Sequence, residues 1–173
     1  MAITLYDATV PSFLQVLGAT RGVLDKGMAY AREAGVDLQE VVKTPLCGDM
    51  LPFDFQVIQV AHHSLGALKG AQAGAFSPRG ANGEDYAALQ ALVVEAEAEL
   101  KTWTPEAVNA LEGRDVMFSF GDFRMPFVAE DFLLSFSLPN FYFHATTAYD
   151  ILRMKGAPLG KRDFMGQVRL KVA

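Results

Sequence analysis

Three histidines, His62, His63 and His144, are the only imidazoles in the chain, and Cys47 is its only thiol. Imidazole is the commonest metal ligand and titrates near neutrality, so these positions bound any metal or acid–base chemistry. His62 and His63 are adjacent. On a helix their side chains diverge by about 100° and do not reach one ion together. A helical wheel puts His63 at the edge of an apolar face, beside Gln56, Gln59 and Val60, and turns His62 outward toward Phe55 and Lys69. His144 shares its side with Phe141, Ala148 and Ile151, so it is expected to face the interior. One chain thus offers two converging histidines, whereas tight zinc or nickel centres take three protein ligands plus water. The plainer reading makes His144 a satisfied core histidine and His63 a rim residue.

The remaining reactive groups carry weaker signals. Asp150 and Glu130 are carboxylates that could ligate a metal or move a proton, although solvation on a helix surface is the usual fate of such residues. Asp131 is read as a cap of the last helix. Cys47 lies in a loop near Lys43 with no histidine close in sequence to activate it, and is expected to be buried and inert. Trp103, beside Thr104-Pro105, reads as a packing anchor. The chain has no Gly-rich phosphate loop, no G-x-S-x-G elbow and no H-E-x-x-H.

Apolar periodicity supplies the elements that would position these groups. Val10, Phe13, Leu14, Leu17, Leu24, Met28 and Ala31 recur at three- and four-residue steps. They predict a first helix from about Val10 to Ala34, with Thr9 as N-cap, Pro11 in the first turn and Gly35 as the stop. Residues 36–51 read as a connection. A second helix is predicted over about 53–71 from Phe53, Val57, Val60, Ser64, Leu68 and Ala71. A Gly/Ala-rich loop leads to a third helix from about Asn82 or Gly83 to Lys101, with Glu84 and Asp85 in its first turn. A short helix is expected from Thr104-Pro105-Glu106 to about Gly113. Val116, Phe118 and Phe120 then alternate, Gly121-Asp122 turn, and Arg124 to Val128 return, which predicts a β-hairpin. The last helix, about 130–155, is expected to break or kink at Pro139 and to end at Gly156, with an irregular tail beyond. Four long helical segments make an up-down four-helix bundle the natural packing, an irregular α-domain being the other solution.

Composition bounds the rest. The 173 residues are about half apolar and one fifth charged, enough for residues 1–173 to form a single domain without staples. A formal net charge of −5 argues against a nucleic-acid partner, despite basic residues near the C-terminus. One cysteine excludes an intrachain disulfide. No stretch approaches the ~20 apolar residues of a membrane span, and the opening MAITLYDATVPSF lacks a secretory pattern. A cytoplasmic protein with no membrane partner is the expectation.

The stretches TLYDATVPSFLQVLG, LPNFYFHATTAYDILRMKG and GKRDFMG resemble an uncharacterised bacterial and fungal family, the domain of unknown function DUF1993. That family is similar to the DinB and YfiT-like superfamily of metalloenzymes. The resemblance implies a four-helix bundle whose better-known members hold a divalent metal with one histidine on the second helix and an H-x-x-x-H pair on the fourth. Some use it in thiol-dependent transferase or isomerase reactions. Carried over, AHHSLGAL resembles the second-helix motif and puts His63 in the ligand position. His144 has the superfamily's spacing to Leu152 and Arg153, eight and nine residues on. The other histidine of the pair would fall four residues earlier, where this chain has Asn140.

Asn140 and His144 share a helix face, but an amide carbonyl is a poor substitute for imidazole on zinc or nickel. Three outcomes stay open. A weaker metal site persists on His63 and His144, completed by Asn140, water or a nearby carboxylate. Alternatively, the pocket takes a small organic ligand through Asn140, His144, Tyr142 and Tyr149. Or the cluster is structural, with Asn140 satisfying backbone groups freed by Pro139. In function these correspond to a metal-dependent hydrolase or thiol-dependent transferase, or to a non-catalytic ligand-binding or interaction protein. A homodimer is also expected, with His62 and Phe55 on the outer face of the second helix as contacts.

Overall fold

The computed structural model describes residues 2–171, and the chain is mainly helical with a small three-stranded sheet. Helix α1 spans Leu5–Ala34. It begins five residues before the predicted start, because Thr4 and Asp7 form a capping box: the Thr4 hydroxyl accepts from Asp7 N, and Asp7 accepts from Thr4 N. Thr9, expected as the cap, is buried inside the helix and donates its hydroxyl to the Leu5 carbonyl at 2.7 Å. Pro11 accordingly sits in the second turn rather than the first. Gly35 ends the helix in the left-handed conformation (φ 67°), as its position implied.

The connection is not wholly irregular, since Asp37 caps a short helix α2 (Leu38–Val42). Helix α3 (Phe53–Ala61) runs through a π-helical turn, His62–Gly66, into α4 (Ala67–Ala73). Strand β1 (Ala75–Phe76) follows. Helix α5 (Tyr86–Leu100) starts after its N-cap Asp85, later than predicted, because Asp85 accepts from Ala88 N and fixes the first turn there. Helix α6 (Pro105–Asn109) is capped by Thr104. Strands β2 (Asp115–Phe120) and β3 (Phe123–Val128) pair antiparallel from Asp115↔Val128 to Phe120↔Phe123, and β1 adds to β2 in parallel.

The last long helix is α7 (Ala129–Asp131), a second π segment Phe132–Ser137, and α8 (Leu138–Met154). Pro139 neither ends nor breaks it. The proline stands in the first turn of α8, directly after the π segment that loosens the backbone ladder. Asp131 is not a cap; the cap position is Val128, with no side-chain bond. The tail contains a further short helix, α9 (Lys161–Met165), set by Asp163 accepting from Gly160 N and tied to α1 by the Lys26–Asp163 ion pair.

Helix α3 packs on α5 and on α8, while α1 packs on α5, α8 and α9. One apolar core runs through these faces. Phe13 meets Phe141 edge-on at 5.0 Å, and Phe53 stacks on Tyr86 at 5.8 Å. Each such buried ring contributes about 1.5–3 kcal/mol of transfer free energy. Trp103 packs against this core, as an anchor would. Among the described residues no helix is long and apolar enough to cross a membrane.

Candidate functional site: a buried histidine pair

His63 and His144 come together. Their ring centroids lie 5.8 Å apart with planes 15° from parallel, and the residues are only 6% and 9% exposed. The π turn carries His63 from α3 toward α8, and the interior face of α8 presents His144. Apolar rings enclose them: Phe76 and Phe136 around His63, Phe55 and Phe143 around His144.

Gln56 sets the state of His144. Its side-chain carbonyl lies 2.7 Å from His144 Nδ1, and a carbonyl only accepts, so Nδ1 carries the proton and Nε2 keeps its lone pair. The Gln56 amide nitrogen is itself held by the Leu51 carbonyl at 2.8 Å. This is the arrangement by which an outer group orients a ligating imidazole. Gln56, 2% exposed, has no role in the sequence reading beyond its place beside His63 on the wheel. The signal was available: a glutamine on the apolar face of α3, seven residues before His63.

His63 is less satisfied, since its Nδ1 is buried without a hydrogen-bond partner. Burial, then the neighbouring His62 and His144, pushes its pKa down to about 3, and burial pushes His144 down to about 4. Both rings are therefore neutral at pH 7, the form that binds metal.

Other predicted residues take different places. His62 diverges from His63, with its ring at 68° to that of its neighbour, stacks on Phe76 at 4.3 Å and bonds the Ser77 carbonyl through Nε2 at 2.8 Å. That bond anchors His62 to the following loop instead of leaving it free as an outer contact. Asn140 is half-buried and donates its amide to the Phe136 carbonyl at 2.7 Å, inside the π segment. Tyr149 packs on Phe164 and Tyr142 on Phe141. Glu130 accepts from Gly113 N, and Asp150 lines a surface groove with Tyr142 and Phe143. Cys47 is exposed, contrary to expectation, because its loop packs Leu46 rather than the thiol against the core.

Two imidazoles on one tetrahedral zinc, with Zn–N of about 2.0–2.1 Å, hold their centroids roughly 5.2 Å apart. The pair here needs to close by about half an ångström, with both ring planes turned toward the ion. The orphaned His63 Nδ1 and the His144 Nε2 lone pair are the two nitrogens the pair offers to a metal. The third protein ligand does not fit. Asn140 has its nitrogen committed to Phe136, leaving only a carbonyl oxygen, and among the described residues no three His, Cys, Asp or Glu side chains gather as a metal-ligand group.

A family model described as "Domain of unknown function (DUF1993)" matches residues 5–165. No curated protein matches the chain. Among solved structures, a DinB family member from Shewanella denitrificans is similar, with a TM-score of 0.79 and 22% identity over 98% of this chain and 96% of that one. At that identity the likeness carries the fold alone.

Proposed function

The chain belongs to the DUF1993 family, and from that premise we propose that it is a DinB-like four-helix bundle with a degenerate divalent-metal centre on His63 and His144. The up-down bundle reading is supported by the closed ring of contacts in which α1 meets α5, α5 meets α3, α3 meets α8 and α8 meets α1. The β2–β3 pair is then an insertion before the last helix. The observation that carries the metal reading is the asymmetry of the two rings. One is held in a defined tautomer by Gln56 with its Nε2 lone pair free, and the other has a buried nitrogen with no partner.

A zinc or nickel ion there would act as a Lewis acid toward water or a thiolate, the chemistry of a metal-dependent hydrolase or thiol-dependent transferase. The chain's own contributions are positional. Gln56 holds the His144 ring against rotation. Phe55, Phe76 and Phe136 limit water around the pair. Asn140 ties the π segment to α8, and weak ligation by its carbonyl is the most it adds. Pairing of two copies into a homodimer through the face bearing Phe55 belongs to the same proposal.

The test is NMR of the imidazole rings during zinc titration. Saturable perturbation of His63 and His144, with His62 unmoved, is the expected result. Equal and unsaturable shifts on all three rings would overturn it. A second reading, a metal-free ligand-binding or interaction protein, is favoured by one observation, the commitment of Asn140 to Phe136.

A further inference from the structure

On the opposite side of the π turn, a cleft of about 250 Å³ lies between the His62–Lys69 stretch, α5 and the loop carrying Arg79. Its walls carry two positive and two negative side chains, Lys69, Arg79, Glu95 and Glu99. Lys69 and Glu99 close on each other at 2.6 Å. Arg79 and Glu95 line the same cleft, yet neither makes an ion pair with any described residue, and both are exposed. Opposite charges that face one cavity without meeting leave room for a molecule that carries both complements.

The cleft is shaped between them. Leu65 and Leu92, both half-buried, give it an aliphatic floor. His62 forms one wall, held there by the Phe76 ring and by Nε2 bonding the Ser77 carbonyl. In the neutral ring that bond puts the proton on Nε2 and leaves Nδ1 an acceptor. Gly66 makes this position possible: a Cβ there would lie 2.9 Å from His62 Nδ1. The π turn and the glycine thus hold an acceptor nitrogen at the edge of the cleft, and π-helical turns recur at functional sites. At about 250 Å³ the cleft lies below the ~300–1,000 Å³ of pockets for drug-sized ligands and suits a small metabolite.

We propose that this cleft binds a small aliphatic zwitterion of the α-amino-acid class. The carboxylate meets the Arg79 guanidinium, the ammonium meets Glu95 and His62 Nδ1, and the side chain rests on Leu65 and Leu92. Charge-assisted bonds at both ends give the site its selectivity, because a ligand with one charge leaves the other wall uncompensated.

The experiment is ¹H–¹⁵N NMR titration of the full chain with L-valine, isovalerate and isobutylamine. L-Valine is expected to perturb the amides of residues 62–66, 77 and 79 saturably in the millimolar range. The anion-only and cation-only analogues are expected to bind at least about ten-fold more weakly, a difference of about 1.4 kcal/mol. Arg79→Ala should abolish the preference for L-valine over isobutylamine. Gly66→Ala should weaken L-valine by displacing His62. Equal binding of all three compounds, or no localised perturbation at millimolar L-valine in a protein whose amide spectrum shows it folded, would overturn the proposal.

Discussion

Acidification should destabilise this fold well before its carboxylates protonate, and the histidine pair sets the size of the effect. In the unfolded chain each ring titrates near 6.5, whereas in the folded protein His63 titrates at about 3 and His144 at about 4. Between those values and 6.5 the unfolded state binds more protons, so stability rises with pH. The contribution is fully present above the unfolded value and is lost as pH falls toward the folded values. Because both folded values lie below 5, the loss at pH 5 is set by protonation of the unfolded rings. It is about 2 kcal/mol per ring relative to pH 7, or about 4 kcal/mol for the pair. That is a large part of a typical stability of about 5–15 kcal/mol. His62, also lowered, chiefly by burial, acts in the same direction. The assay is urea denaturation at pH 7, 6 and 5 on the wild type and on His63→Gln/His144→Gln. The double variant should lose most of the slope between pH 7 and 5. An unchanged slope, or a wild type as stable at pH 5 as at pH 7, would refute the assignment of two buried neutral rings.

Further outcomes follow from named contacts. Gln56→Leu removes the acceptor from buried His144 Nδ1 and should cost about 1–3 kcal/mol in urea denaturation, with a changed His144 tautomer by ¹⁵N NMR. Asn140→His supplies the missing third imidazole and should tighten zinc or nickel at least ten-fold in calorimetric titration, although it gives up the bond to the Phe136 carbonyl. Tyr86 donates its hydroxyl to the Leu24 carbonyl from a buried position, so Tyr86→Phe should lower stability by about 0.5–1.5 kcal/mol. Gly27→Ala should cost more, about 1–3 kcal/mol, because its Cβ would meet the same hydroxyl at 2.5 Å.

Much of the helical order was legible because long amphipathic runs declare their period and their glycine stops. Gly35 stands in the left-handed conformation where the apolar stripe of α1 ends, and the alternation from Val116 to Phe120 appears as β2. The errors lie where local hydrogen bonds outvote periodicity. The Thr4–Asp7 capping box extends α1 past the first apolar residue counted, and Asp37 nucleates α2 in a stretch punctuated like a loop. The two π turns had no signature, since an extra residue in a turn changes carbonyl alignment more than it changes residue type. They matter for the site: one carries His63, and the other accepts the Asn140 amide that a metal reading would have freed. The convergence of His63 and His144 followed from their faces. The part played by Gln56 did not, because a glutamine on a mostly apolar face reads as tolerated polarity until its partner is known.

The central claim, a divalent metal on His63 and His144, is tested most directly by elemental mass spectrometry of the tag-free protein after incubation with zinc, nickel or manganese and removal of free ion. The account predicts close to one zinc or nickel per chain in the wild type and loss of it in both His63→Ala and His144→Ala. Wild-type protein that stays metal-free after micromolar metal, or variants that retain as much as the wild type, would contradict it.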